Sequence, residues 1–353
     1  MWFGAHNRGY NSVQGDGAFI SSGVLTVHRA VGGFGSKATA APLYWNDFEG
    51  QNIGDSYLAC GMANLGNDGI ATVQVANDRA FSGTKSLKCI YPVNASTNAS
   101  AFPRVGNNVP NSQSIYIFCK EYWAMTVGSV QNAFIFKHAR AGGGAAYTGS
   151  PHVYQTIRPN ASGIDTGGDS GYVTATTGTS YSQETFGTVI SPLNANVWNT
   201  DEYAYKLGTV GATNGVYQVI INGKDNVGGK VYDGSGVLLT GSAGYCNNND
   251  NVSNAITWAI SIFDGLDQYG IGNQCSVWMD CSYVDTTLQR CVMTDNAVYA
   301  SSTKFMVQIP TAWTDTNAVF TYRNDGFVAG ATGWIHMFNA NGVEVIAYPV
   351  TVQ

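Results

Sequence analysis

Hydrophobic and polar residues alternate with a period of two along most of this chain, which is the spacing of a β-strand with one buried face. Residues 134–140 and 256–263 alternate in this way. The run 216–221 leads into Asn222-Gly223, a pair that favours a two-residue hairpin turn. Residues 114–125 are apolar on both faces, as expected for a central strand covered on both sides. The pattern predicts many strands and no helix longer than about two turns.

Composition supports the β assignment and sets the expected number of domains. Only 11% of the 353 residues are charged, against about 25% in an ordinary soluble domain, and 43 residues are glycine. Five glutamates are too few for long amphipathic helices, and 12% aromatic residues supply enough apolar surface to exclude intrinsic disorder. A chain of this length exceeds the usual size of one core, so two domains are expected. We therefore predict an all-β protein built from β-sandwiches.

Charge and cysteine content narrow the range of partners and compartments. The formal net charge of −6 argues against a nucleic-acid partner, because binding to phosphates depends on lysine and arginine. No apolar run reaches the roughly 18 residues of a membrane span, so we expect no membrane insertion. The first residues do not resemble a secretion signal, and Met1-Trp2 looks like a native start, so synthesis in a host cytoplasm is expected. The seven cysteines include no C-x-x-C pair and predict no essential disulfide.

The segment 142–192 has a different composition from its surroundings. It is crowded with glycine, serine and threonine, as in Ala141-Gly142-Gly143-Gly144. Such a run is typical either of a long functional loop or of weak strands at the edge of a sheet. We expect this segment to project from its domain and to make intermolecular contact.

One resemblance covers most of the chain, from Trp45 to Arg290. The pieces that carry it are Asp47-Phe48-Glu49-Gly50, the run 80–88 (AFSGTKSLK), Asn214-Gly215-Val216-Tyr217-Gln218, and Trp278-Met279-Asp280. In this order they resemble a concanavalin-A-like or carbohydrate-binding-module jelly roll. The resemblance implies one large jelly-roll β-sandwich over residues 45–292.

A second resemblance is split between the two ends of the chain. Val24 to Lys37 resembles the first strands of an immunoglobulin-like IPT/TIG domain, 309–316 its middle and 333–342 its final hairpin. Neither end is long enough to bury a core alone. We therefore expect residues 1–44 and 293–353 to form one small Ig-like β-sandwich, with the jelly roll inserted between them. Chains with this combined pattern resemble uncharacterised phage structural proteins.

Four residues have the types that a polysaccharide lyase needs: His138, Arg140, His152 and Tyr154. Such an enzyme uses a tyrosine or histidine as base and a cation to neutralise the uronate carboxylate. If the two strands that carry these residues are neighbours, they would form a lyase-like cleft. The alternative is a histidine and an arginine at an exposed strand end. We expect no catalysis, because Arg140 is followed closely by Gly142-Gly143-Gly144. We interpret these glycines as a mobile hinge, which would not hold Arg140 in a fixed geometry.

Exposed aromatic rings are the usual platforms for sugars, since a ring face packs against the C–H side of a pyranose. The candidates for glycan binding are Trp123, Tyr147, Tyr154, Tyr172 and Tyr181. Four other tryptophans lie in alternating strand patterns and are expected in the core: Trp45, Trp198, Trp258 and Trp278. His336, between Trp334 and Phe338 on one strand face, is interpreted as an ordinary core or interface histidine.

A calcium site is the one cofactor that the resemblance suggests. Glu49 and Asp280 lie near the two ends of the inserted domain. In related carbohydrate-binding modules such end pieces meet around a structural calcium ion, which takes carboxylate and backbone oxygens. The alternative for each residue is a structural acid at the surface or in a turn. No other cofactor is expected.

These observations leave three functions open. The first is a non-enzymatic structural protein of a phage virion, a capsid decoration or fibre-type protein. Its partners would be other virion proteins or further copies of itself, with cell-surface glycan as an additional ligand. The second is a secreted, extracellular glycan-binding module in which the jelly roll binds the sugar. The third is a polysaccharide lyase. We expect the first.

Overall fold

The computed structural model describes residues 15–66, 71–91, 104–124, 134–143, 152–160, 163–166, 171–172, 183–184, 193–206, 216–225, 231–232, 238–239, 255–260, 265–268 and 275–353. The strands, in chain order, are β1 (Gly17–Ser21), β2 (Val24–His28), β3 (Tyr44–Asn46), β4 (Ala63–Gly66), β5 (Thr72–Ala76), β6 (Ser86–Tyr91), β7 (Arg104–Ser112), β8 (Ser114–Ala124), β9 (Phe134–Gly142), β10 (His152–Asn160), β11 (Gly163–Thr166), β12 (Gly171–Tyr172), β13 (Gln183–Glu184), β14 (Trp198–Lys206), β15 (Val216–Ile221), β16 (Lys224–Asp225), β17 (Val231–Tyr232), β18 (Leu238–Leu239), β19 (Ile256–Ile260), β20 (Gly265–Gln268), β21 (Cys275–Asp285), β22 (Arg290–Thr294), β23 (Phe305–Val307), β24 (Ile309–Trp313), β25 (Asn317–Thr321), β26 (Thr332–Phe338) and β27 (Glu344–Thr351). One 3-10 turn, Tyr299–Ser301, accompanies them. The predicted all-β class is confirmed, and no helix among these residues is long and apolar enough to cross a bilayer.

The larger part of the chain forms a sandwich of two antiparallel sheets. The open sheet has the order β11-β10-β9-β19-β7-β4, with β20 beside β9. The middle sheet has the order β16-β15-β14-β8-β21-β6-β5, with β3 beside β21. Their facing sides enclose one apolar core, to which the middle sheet contributes Leu87, Ile117 and Val277, and the open sheet Val105 and Ala259. This is a jelly-roll-like sandwich, as predicted.

A smaller sandwich consists of an inner sheet, β23-β22-β26-β27, and an outer sheet, β1-β2-β25-β24. Strand β2, from the beginning of the chain, pairs with β25 near its end, from Val24 opposite Thr321 to His28 opposite Asn317. Strand β22 starts at Arg290, so the small sandwich already begins before residue 292. Membership of the IPT/TIG family stays a prediction.

The small sandwich packs on the back of the middle sheet. A third apolar core joins Tyr116, Phe118 and Tyr283 of the middle sheet to Val292 and Phe338 of the inner sheet. The four sheets therefore lie in the order open, middle, inner and outer, with a core between each neighbouring pair. The middle and inner sheets are covered on both faces, which explains why β8 is apolar on both of its faces.

The glycine-rich segment 142–192 only partly matches its prediction. Strands β10 and β11 lie within the open sheet, where β10 pairs with β9 on one side and with β11 on the other. These residues are therefore sheet strands and do not project as a loop. Apart from the short β12 and β13 and the first two residues, the remainder of the segment is outside the described residues.

Five of the cysteines are buried free thiols: Cys60, Cys89, Cys119, Cys281 and Cys291. They occupy core positions as small apolar side chains, and none of the five forms a disulfide.

Candidate active site on the open sheet

The open sheet has one face in the core and one face directed away from it. Ala141 and Ala259 are directly opposed in β9 and β19, and both are fully buried in the core of the large sandwich. Successive residues of a strand lie on opposite faces of the sheet. Arg140, Gly142 and Trp258 therefore lie on the other face, which we call the open face. Trp258 is half-buried there.

Strand pairing aligns the residues of the open face in rows across the sheet. In the first row, Asn108 pairs with Trp258, Trp258 with Gly142, and Gly142 with His152. Asn108, at the β7 position of this row, is exposed. Since directly opposed residues of an antiparallel pair lie on the same face, all four belong to the open face.

The second row contains the candidate cation and the candidate phenol. Gly106 pairs with Ile260, Ile260 with Arg140, and Arg140 with Tyr154. Directly opposed residues have Cα atoms about 5 Å apart. A guanidinium residue and a tyrosine are thus neighbours on the open face.

His138 precedes Arg140 by two residues on β9 and pairs with Gln155, just beyond an irregularity in the register between Tyr154 and Gln155. The rows are about 7 Å apart along a strand. Gln155 follows Tyr154 directly, so it lies on the opposite face of β10, and its partner His138 shares that face. The fold therefore brings Arg140, His152 and Tyr154 together on the open face of two neighbouring strands and places His138 on the other face.

The predicted mobile hinge after Arg140 is wrong. Gly142 is part of β9, and it pairs with Trp258 on one side and with His152 on the other. Ala141, Gly142 and Gly143 are all buried. Glycine is tolerated here because the strand is held by its neighbours on both edges, so the position next to Arg140 is fixed by the sheet.

Within the described part of the chain, the predicted glycan-binding aromatic residues do not all lie on the open face. Trp123 is fully buried in the core of the large sandwich, which corrects its assignment as an exposed sugar platform. It lies on the same face of β8 as Ile117 and Cys119, and that face is the inner one. Tyr172 lies in the short β12 opposite Gln183. Tyr147 and Tyr181 fall outside the described residues.

Trp258 is the aromatic residue that sequence reasoning missed. The alternation Ile256, Trp258, Ile260 suggested that all three share the core face. The register against β7 shifts between Ile256 and Trp258, however, so Ile256 is buried in the core and Trp258 lies on the open face. Between these two pairs β7 advances by four residues and β19 by two, and this irregularity interrupts the alternation, so that Ile256 and Ala259, three residues apart, both lie in the core. A single sequence carries no clear signal for such a bulge.

The two residues proposed for calcium bind the chain itself. Glu49 accepts hydrogen bonds from the backbone N–H groups of Thr84 (2.8 Å) and Lys85 (2.7 Å) and from the Thr84 hydroxyl. Asp280 accepts hydrogen bonds from the backbone N–H groups of Phe81 (2.8 Å) and Ser82 (2.9 Å). Both carboxylates thus hold the loop 81–85, and N–H donors point at the oxygens that an ion would need. This arrangement does not fit a calcium site.

A hydroxyl, an imidazole and a carboxylate follow one another in the small sandwich. His336 Nε2 lies 2.9 Å from Thr294 Oγ1, and His336 Nδ1 lies 2.8 Å from Glu344 Oε1. The Thr294 hydroxyl donates to the carbonyl oxygen of Asn296 at 2.7 Å. Thr294 and His336 are both fully buried, so a substrate has no access to the hydroxyl. His336 is therefore a hydrogen-bonded core histidine, as interpreted from the sequence.

Three side chains have the types and spacing of metal ligands. One ligand atom from each of Cys119, Glu121 and Asp201 lies within 4.8 Å of the others. All three are buried in the interior of the large sandwich, and burial raises the pKa of the Cys119 thiol. We interpret this group as a polar patch within that interior.

Comparison with known proteins gave similarity of fold only. No protein-family model and no curated protein matches the chain. Among solved structures, an endo-β-1,4-glucuronan lyase from the fungus Trichoderma reesei matches with a TM-score of 0.44 and 12% identity, covering 67% of this chain and 96% of that one. The alginate lyase Aly36B matches with a TM-score of 0.45 and 12% identity, covering 70% and 98%. A carbohydrate esterase from the Shiga toxin-encoding bacteriophage phi24B matches with a TM-score of 0.34 and 13% identity, covering 65% and 93%.

These comparisons contradict the first of the three predicted functions. The matched structures named above are two polysaccharide lyases and a carbohydrate esterase, so the predictions of a non-enzymatic capsid decoration or fibre-type protein and of a non-enzyme are wrong. They give no support to a virion component or to an oligomer. The predicted glycan ligand and the other predicted partners stay predictions. What the chain resembles is an all-β, jelly-roll-like sandwich of the kind found in polysaccharide lyases.

Proposed function

We propose that this protein is a polysaccharide lyase that cleaves uronate-containing chains on the open face of its large sandwich. The observation that carries the proposal is the register of β9 and β10, in which Arg140 is directly opposed to Tyr154. His152 occupies the neighbouring row of the same face. The site thus combines one cation with two side chains that can transfer protons. The solved structures are too distant to add to this argument.

The chemistry that these residue types can perform is β-elimination. Arg140 pairs with the carboxylate of the uronate and compensates the negative charge that develops when C5 loses its proton. A base takes that proton, the C5–H electron pair forms the C4=C5 double bond, and the C4–O4 bond breaks. The leaving oxygen takes up a proton and becomes a hydroxyl group. One product carries this hydroxyl and the other an unsaturated uronate.

Tyr154 is assigned to proton transfer, because it is the residue in register with Arg140. A neighbouring cation stabilises the negative charge on a phenol oxygen while its proton is away. His152, one row away, supplies the second proton-transfer group. Arg140 thereby stabilises negative charge both on the substrate carboxylate and on the phenol oxygen of Tyr154.

The test is a cleavage assay with alginate, pectate, glucuronan and heparan substrates, followed by the ultraviolet absorbance of the unsaturated product. We expect an absorbance rise with at least one substrate. Tyr154→Phe and Arg140→Gln should each reduce the rate about a hundredfold or more. Tyr322→Phe, a tyrosine of the small sandwich far from the open face, is the matched control and should retain the rate. Absence of a rise with every substrate, or full activity of Tyr154→Phe, would contradict the proposal.

A further inference from the structure

We infer that the substrate chain runs across the strands of the open sheet, from Tyr154 to the edge strand β4, and that Trp258 and Arg104 bind acidic sugar residues beyond the cleaved bond. This inference rests on the proposed function of Arg140 and Tyr154. It adds the direction of the acidic chain on the sheet, the length of chain that is bound, and two residues that select it.

The second row of the open face provides the floor of this path. Arg140 pairs with Ile260, Ile260 with Gly106, and Gly106 with Ala63 of β4. Beyond Ile260 the row therefore has no side chain at Gly106 and a single methyl group at Ala63. A row of small residues flanked by larger ones is a shallow groove, and this groove starts at the proposed catalytic residues.

Trp258 and Asn108 flank the groove on one side. They are directly opposed in the first row, one row away from Ile260 and Gly106. Trp258 is half-buried, so its ring is partly fixed by packing while part of it stays accessible, and Asn108 is exposed. An aromatic face beside an amide is the usual combination for holding a pyranose ring.

Arg104 flanks the groove on the other side. It precedes Gly106 by two residues on β7, so it lies on the same face, and it pairs with Gly66 of β4. A Cβ atom on Gly66 would lie 3.1 Å from Arg104 Cδ and 3.5 Å from its Nη1. The arginine side chain therefore extends over the backbone of the edge strand. A second cation thus lies at the far end of the groove from Arg140.

The spacing of the strands sets the length of substrate that this path can use. Neighbouring strands lie about 4.8 Å apart, so Gly106 is about 10 Å from Arg140. One strand spacing is close to the length of one sugar residue along a chain. A substrate must therefore extend at least two sugar residues beyond the cleavage site to contact both Trp258 and Arg104. A short oligosaccharide cannot use these contacts.

The first experiment compares the cleavage of a hexasaccharide and a disaccharide of the best uronate substrate. Trp258→Ala and Arg104→Gln should each lower kcat/KM for the hexasaccharide about three- to tenfold, chiefly through KM, and Arg104→Gln should have little effect on the disaccharide, which has one sugar residue beyond the cleaved bond. Trp258→Phe should lower kcat/KM for the hexasaccharide less than Trp258→Ala does. Arg29→Gln, in the small sandwich, is the matched control. Equal losses on both substrates for Arg104→Gln, or no loss on either substrate, would overturn the inference.

The second experiment measures binding without cleavage, so that failure of the two proposals can be told apart. In the Tyr154→Phe background, migration is compared in native gels that contain alginate, glucuronan or a neutral β-glucan. Retardation by an acidic polymer that is lost in Trp258→Ala and Arg104→Gln supports the groove even if the wild-type protein cleaves nothing. Retardation that neither substitution changes overturns the groove, whether or not the wild-type protein is a lyase.

Discussion

Asp280 lies within β21 and has no exposed surface. Its Oδ2 accepts hydrogen bonds from the backbone N–H groups of Phe81 and Ser82, and its Oδ1 accepts one from that of Cys281. Burial nevertheless raises the pKa of Asp280 to about 7, because the loss of water outweighs these hydrogen bonds. The group that holds the loop 81–85 therefore changes its charge near neutral pH.

We expect this carboxyl group to make the protein less stable as the pH rises. The pKa of about 7 in the folded protein lies above the ordinary value of 3.8, so the folded state binds the proton more tightly than the unfolded chain. The resulting stabilisation is complete below about pH 4 and is lost as the pH rises through about 7. Relative to Asp280→Asn, the free energy of unfolding in urea should fall by at least about 1 kcal/mol between about pH 5 and about pH 8.

Asp295→Asn is the control for this measurement. Burial acts to raise the pKa of Asp295, but hydrogen bonds from Thr303 and Lys304 outweigh burial, and the pKa lies below its ordinary value. The difference between the wild-type protein and Asp295→Asn should therefore stay constant over the same range. A constant difference for Asp280→Asn as well would contradict the prediction.

The hairpin of β15 and β16 shows how a local signal is used at the scale of an element. Ile221 pairs with Lys224, which leaves Asn222 and Gly223 as a two-residue turn. Their φ angles of 49° and 78° are both positive, as a type I′ turn requires. The predicted hairpin is confirmed. Gly223 also packs against the small sandwich, since a Cβ atom there would overlap the Phe305 ring and lie 2.9 Å from the Tyr299 carbonyl oxygen.

Gly223→Ala should therefore destabilise the protein for two reasons. A residue with a Cβ loses about 1–2 kcal/mol in the left-handed region, and here it must also displace Phe305 or the backbone of Tyr299. Gly330→Ala is the matched control, because Gly330 has a φ of 84° with nothing within 4 Å of the added Cβ. In urea unfolding, Gly223→Ala should cost at least about 1 kcal/mol more than Gly330→Ala. Equal costs would mean that the contact with the small sandwich is absent.

At the scale of the whole molecule, a buried ion pair joins the two sandwiches. Arg290 Nε of β22 lies 3.4 Å from Glu202 Oε2 of β14, and both side chains are completely buried. Tyr116 donates a hydrogen bond to Glu202 at 2.7 Å, and Tyr299 donates another. The guanidinium lies 3.7 Å from the centre of the Phe338 ring. Each sandwich therefore completes a polar network that the other would leave unpaired.

We expect the two sandwiches to unfold in one calorimetric transition. The core between the middle and inner sheets is continuous with this network, so separating the sandwiches would expose apolar surface and a buried charge together. Arg290→Met should lower the stability by about 3–5 kcal/mol without splitting the transition, because it leaves Glu202 charged and unpaired. Lys88→Met, which breaks the more exposed pair of Lys88 with Asp78, should cost less than about 1 kcal/mol. Two transitions in the wild-type protein would contradict this prediction.

The sequence by itself determined those features that depend on neighbouring residues. Period-two alternation and apolar runs identified β8, β9, β15 and β19 as strands, because the alternation of faces is a property of the extended backbone itself. The Asn222-Gly223 turn was predictable for the same reason, since its positive φ angles depend on those two residue types. The residue types of a lyase were also visible in His138, Arg140, His152 and Tyr154.

Only the tertiary structure decided which of these residues meet and which face they occupy. A bulge moves Trp258 out of the core, and the register of β9 with β10 sets Tyr154 opposite Arg140. Pairing on both edges turns Gly142 from an apparent hinge into a fixed strand position, and the covering sheet buries Trp123. Register and bulges result from contacts between strands distant in the chain, and a shift of one residue moves every following side chain to the opposite face. The pattern of hydrophobic and polar residues along the chain therefore does not predict that shift.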